Sequence, residues 1–88
     1  MVPVYKVLDD LSFIMECLLQ ECFSDGKGEL YGLANRLEND PAYAIEGRET
    51  VAAELRDALS KMGGSERRGG HRIVSRVSRE LWKTAGAS

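Results

Sequence analysis

Apolar residues return every three to four positions along most of this chain, the period of a helix with one buried face. Val4, Val7, Leu8, Leu11, Ile14, Met15, Leu18, Leu19 and Cys22 fall within an arc of about 140° on a helical wheel. Lys6, Asp9, Glu16 and Gln20 take the other side. This spacing predicts a first helix over residues 4–23, opened by Pro3, whose fixed φ suits the start of a helix. Ser24, Asp25, Gly26, Lys27 and Gly28 read as a tight connection to an antiparallel neighbour, because polar turn formers and two glycines disfavour a continuous helix.

A second stripe, Leu30, Leu33, Ala34 and Leu37, predicts a helix over 29–38. After it, Asp40 and Pro41 form a good capping pair, so the third helix starts at Pro41 unless Gly47 breaks it and moves the start to Arg48. Val51, Ala52, Leu55, Ala58, Leu59 and Met62 carry that helix to residue 62. The run from Gly63 to Gly70, with four glycines, reads as a flexible hinge. A last helix follows over 71–84, with Ala85 to Ser88 fraying at the end. The expected fold is all-α: a single domain over 1–88, a small bundle of three to four helices with a basic C-terminal helix after a Gly-rich hinge.

Length and composition fit that picture. At 88 residues, 43% hydrophobic and 30% charged, the chain can hold one core, and its surface-to-volume ratio favours self-association as a way to cover more apolar area. Lys6, Asp9, Asp10, Glu16, Gln20 and Glu21 make the N-terminal segment too polar to span a bilayer. With no leader or lipidation motif in view, the expected location is cytoplasmic.

Cys17 and Cys22 are the only cysteines. Within one continuous helix their spacing turns them about 140° apart, out of reach of a disulfide. Together with the single His71 they also fall short of a structural zinc set. Two reduced thiols, no metal and no cofactor are expected.

Charge changes the picture most. Residues 65–88 hold six basic and two acidic side chains, for +4, whereas residues 1–64 hold six basic and twelve acidic, for −6. Arg72, Arg76, Arg79 and Lys83 gather within about 60° of the last helix, opposite Ile73, Val74, Val77 and Leu81. Arg67 and Arg68 add to this charge from the hinge. Guanidinium groups pair with phosphate or carboxylate oxygens, so these six residues are candidate partner-binding groups. Trp82, off both arcs, and Phe13, on the polar side of the first helix, join them as aromatic anchors of the kind protein interfaces use.

Enzymatic chemistry finds little support. His71 has no neighbouring nucleophile in sequence, the pairs Asp9 with Asp10 and Glu46 with Glu49 lie on helix surfaces, and the glycines do not follow P-loop order. The expectation is a non-enzymatic interaction or regulatory protein, cytoplasmic and homodimeric, that binds a protein partner through electrostatic pairing with an acidic surface. The alternative is nucleic-acid binding through the basic stripe, weakened by the acidic balance of the chain as a whole. The narrow apolar arc of the last helix argues against a membrane partner.

Overall fold

The computed structural model describes residues 1–63 and 66–86 and contains four helices: α1 (Val4–Leu18), α2 (Phe23–Asn39), α3 (Arg48–Met62) and α4 (Arg67–Gly86). Each packs on two neighbours, α1 on α2 and α4, α3 on α2 and α4, and among the described residues the backbones of the diagonal pairs do not come close. The result is a square four-helix bundle around one core. Leu11, Ile14, Leu18, Leu30, Leu33, Leu37, Leu55, Met62 and Val74 are fully enclosed, and no polar or charged side chain among the described residues is buried with them. Tyr43 joins this core from the loop between α2 and α3.

Three boundaries differ from the sequence reading. The first helix stops at Leu18 rather than at residue 23, where Gln20 N–H bonds the Cys17 carbonyl at 3.1 Å and closes a turn. As a consequence Leu19, counted in the apolar arc, is 56% exposed. The predicted connection 24–28 is instead the first turns of α2. Gly26 serves packing there rather than a turn: a Cβ at this position would lie 2.9 Å from the Cβ of Cys17, so the missing side chain lets α2 cross closely over the end of α1.

The second difference is at Asp40 and Pro41, which form a turn and not a helix cap. The Asp40 carboxylate accepts the Ala42 N–H at 2.9 Å and its carbonyl accepts the Tyr43 N–H at 3.0 Å. This local bonding competes with helix and wins. Of the two expected starts for the third helix, Arg48 is the one observed, and Gly47 before it holds φ 74°, a left-handed conformation that glycine adopts without strain. Arg48 Nε then bonds the Leu37 carbonyl at 2.6 Å, joining the start of α3 to the end of α2.

The third difference is in the hinge. Helix α4 begins at Arg67, four residues before the predicted start, so Arg67, Arg68, Gly69 and Gly70 of the expected hinge are helical. Gly64 and Ser65 lie outside the described residues, as do Ala87 and Ser88 of the expected frayed end. Gly70 is buried, and a Cβ on it would collide with the side chain of Met62. Its role is close approach of α4 to α3.

Candidate interaction surface

The amphipathic character of α4 decides which side chains reach its outer face. Ile73, Val74, Val77 and Leu81 are buried, which turns Arg72, Arg76, Arg79 and Lys83 outward, all four exposed. Arg76 reaches Glu54 of α3 at 3.6 Å, a half-exposed pair of little energetic weight. The side chains of Arg68, Arg72, Arg79 and Lys83 form no hydrogen bond or ion pair among the described residues.

Arg67 has a different place from the rest of the basic group. Its guanidinium stacks 4.4 Å from the Phe23 ring centroid and points Nη1 at the Gln20 carbonyl, 3.4 Å away. It therefore ties the start of α4 to the corner between α1 and α2. Lys27 covers Phe23 as well, at 5.5 Å.

Trp82 is 61% exposed and packs edge-on against Tyr5 of α1, with ring centroids 6.4 Å apart and an interplanar angle of 72°. This contact joins the start of α1 to the end of α4, as antiparallel neighbours require. Phe13 is exposed too, but it lies about 80° round α1 from Tyr5 at 100° per residue, and the bundle does not bring it to Trp82. Tyr5 was missed in the sequence reading. The available signal was the one that singled out Phe13, an aromatic on a polar arc, but only the antiparallel pairing of α1 with α4 sets residue 5 beside residue 82.

Below the two rings runs a shallow groove of about 380 Å³ between α1 and α4. Ser12, Ser75 and Ser78 contribute hydroxyls to it, Leu8 and Met15 apolar surface, and Asp9 and Arg79 one charge of each sign. Small side chains from both helices keep it open, and aromatic rings mark one end. Hydroxyls that donate and accept, an acid, a base and exposed aromatic rings together suit the mixed polar and apolar surface of another protein. Among the described residues no group of three His, Cys, Asp or Glu side chains converges on a possible metal position. No described helix is long and apolar enough to cross a membrane.

The cysteines lie closer together than the sequence reading placed them. Because α1 ends at Leu18, the 140° separation no longer applies: Cys17 is buried at the end of α1 and Cys22 is half-buried at the start of α2. A hydrogen bond with Cys22 pushes the Cys17 thiol up to about 11, with burial adding to the effect. The thiolate is the reactive form, and at pH 8 such a group is ionised to only about one part in a thousand. Iodoacetamide should therefore label Cys22 well before Cys17 in the native protein and both at similar rates in denaturant, as followed by peptide mass spectrometry. Equal native rates would contradict this arrangement.

Elsewhere the surface is braced by ion pairs. Arg56 binds Glu38 through Nε and Nη2 at 2.8 and 2.6 Å and reaches Asn35 Oδ1 at 2.6 Å. The bond to Arg56 holds the Glu38 carboxyl below its ordinary range. These contacts lock α2 to α3, on the opposite side of the bundle from the groove.

No protein-family model, curated protein or solved structure matches this chain.

Proposed function

We propose that this chain is a non-enzymatic interaction protein that binds another protein surface through the exposed face formed by α1 and α4 and thereby regulates it. The observation that carries this reading is the exposed Tyr5–Trp82 pair at the end of a groove flanked by Asp9 and by an Arg79 without an ion-pair partner among the described residues. Large exposed rings beside polar groups are what interfaces use as anchors, because they bury much area at low entropic cost. The outward charges of α4 favour a partner with acidic side chains opposite them. Two free thiols fit action in a reducing compartment such as the cytoplasm.

The test is quantitative affinity purification of tagged protein from its native cells, comparing the unmodified chain with a Tyr5→Ala/Trp82→Ala variant. Both positions are exposed, so the variant should fold, as its circular dichroism would verify. Partners enriched by the unmodified chain should drop by roughly tenfold or more with the variant. An unchanged set of partners would overturn the reading.

A second reading rests on Arg68, Arg72, Arg79 and Lys83, cations without an ion-pair partner among the described residues: binding of nucleic acid along α4, driven by counterion release. Charge reversal at Arg72, Arg76 and Arg79 should then abolish a salt-sensitive mobility shift. No shift for the unmodified protein at low salt would end that reading.

A further inference from the structure

The face that carries the proposed function is complementary to itself. Its α1 half presents Asp9 and Glu16, neither of which forms a salt bridge among the described residues. The α4 half presents Arg72 and Arg79, in the same condition. Asp9 and Arg79 line the same stretch of groove, near the Tyr5–Trp82 end. At 100° per residue Glu16 lies about 20° from Tyr5 on α1, on the same outward side and about two turns beyond Asp9, away from the aromatic end. Arg72 lies about two turns before Arg79 on the antiparallel α4. The acidic and basic groups thus stand in two parallel columns at matching heights.

We propose that the partner for this face is a second copy of the chain, related by a two-fold axis running parallel to the helices. This inference rests on the interaction reading and names its occupant. Such an axis lays α1 of each copy across α4 of the other. Asp9 then meets Arg79 of the second copy, Glu16 meets Arg72, and each contact occurs twice, as an isologous interface requires. Both Tyr5 rings and both Trp82 rings come together at one end and are withdrawn from water. A two-fold axis across the helices would instead set α1 on α1 and α4 on α4. That brings carboxylates to carboxylates and guanidinium groups to guanidinium groups, and like charges so placed oppose association. Charge pattern therefore selects the first arrangement. Helix α1 is 15 residues long, about 22 Å, so a face two helices wide is small for an interface. Self-association with a dissociation constant on the order of micromolar is expected.

Single charge reversals give a test that only pairing between chains can pass. In a dimer of the Asp9→Arg variant the two introduced guanidinium groups would face the native Arg79 side chains. In a dimer of the Arg79→Glu variant the two introduced carboxylates would face the native Asp9 side chains. Each variant alone should dissociate at least roughly tenfold more readily than the unmodified chain. Mixed in equal amounts they should form a heterodimer of restored affinity. There the guanidinium introduced at position 9 of one chain meets the carboxylate introduced at position 79 of the other, while the native Arg79 of the first meets the native Asp9 of the second. Sedimentation equilibrium from about 0.1 to 100 µM, concentrations that bracket a micromolar constant, reads the mass against the 9.7 kDa monomer. Fluorescence of the single tryptophan should shift to the blue as the dimer forms.

A monomer at the highest concentration, or a dimer that neither reversal weakens, would overturn the inference. So would two variants that fail to recover on mixing. If the chain is monomeric and Tyr5→Ala/Trp82→Ala still strips its partners in affinity purification, the interaction face stands and its occupant is a foreign protein. Loss of both results removes the interaction reading itself.

Discussion

A Gly70→Leu substitution should lower stability by about 3 kcal/mol, in the upper range for forcing extra carbons into a packed core. For a chain of this size that is a fall in melting temperature of about 12–24 °C. The reason is that Gly70 lies against the side chain of Met62, which is itself buried in the core of the bundle. Space for a side chain can come only from displacing Met62 or from moving α4 off α3. Gly69, one residue earlier, gives the contrast. A Cβ there would meet Glu66 Oε2 at 3.5 Å and Lys61 Cδ at 3.9 Å, ordinary contacts with flexible groups. Gly69→Ala should therefore stabilise the protein by about 0.5–1 kcal/mol, the gain in helix propensity. Were residues 63–70 a solvated hinge, the two glycines would respond alike. Thermal melts followed by circular dichroism separate the two cases. Coupling between Gly70→Ala and Met62→Ala in a double-mutant cycle would locate the clash directly.

Leu55→Ala should cost about 2–5 kcal/mol, the transfer energy of the removed atoms plus that of the cavity they leave. Leu55 is fully enclosed on α3, in a core without a buried polar side chain among the described residues. Native domains hold only about 5–15 kcal/mol in total, so this change alone brings a chain of 88 residues close to unfolding. Urea denaturation should show a lower midpoint with an unchanged slope, the mark of lost stability without a change in the surface exposed on unfolding. Leu19→Ala is the control. That leucine is more than half exposed, and its removal should stay within about 0.5 kcal/mol of the parent. A Leu55→Ala loss as small as the Leu19→Ala loss would contradict the packing described.

These two controls, Gly69 and Leu19, mark where local pattern misled. Leu19 shares the apolar arc of the first helix, and nothing within residues 4–23 signals that the helix ends at Leu18. What ends it is the return of the chain as α2, close-packed where Gly26 meets Cys17. Gly26, Gly69 and Gly70 all read as turn or hinge residues, because glycine usually marks backbone freedom. At Gly26 and Gly70 the backbone is ordinary helix, and glycine is present because another helix is too near for a Cβ. No local signal separates those two uses. Asp40 and Pro41 carried a similar ambiguity, since the same pair can open a helix or a turn. Gly47 at positive φ settled the start of α3 at Arg48.

The all-α class, the buried stripe of every helix and the single-sided basic stripe of α4 were legible in the residues alone. They depend only on the helical period, because residues three and four apart share a face wherever the helix is placed. Trp82 and Phe13 stood out as aromatics beyond the apolar arcs for the same reason. Which of them has a neighbour was a matter of tertiary packing. Antiparallel packing of α1 on α4 sets Tyr5 against Trp82, aligns Asp9 with Arg79 across one groove, and sends Arg67 to Phe23 instead of to the stripe. Those pairs are 77, 70 and 44 positions apart in the chain, beyond the reach of any periodicity within a single helix. They follow from how four amphipathic faces close around one core.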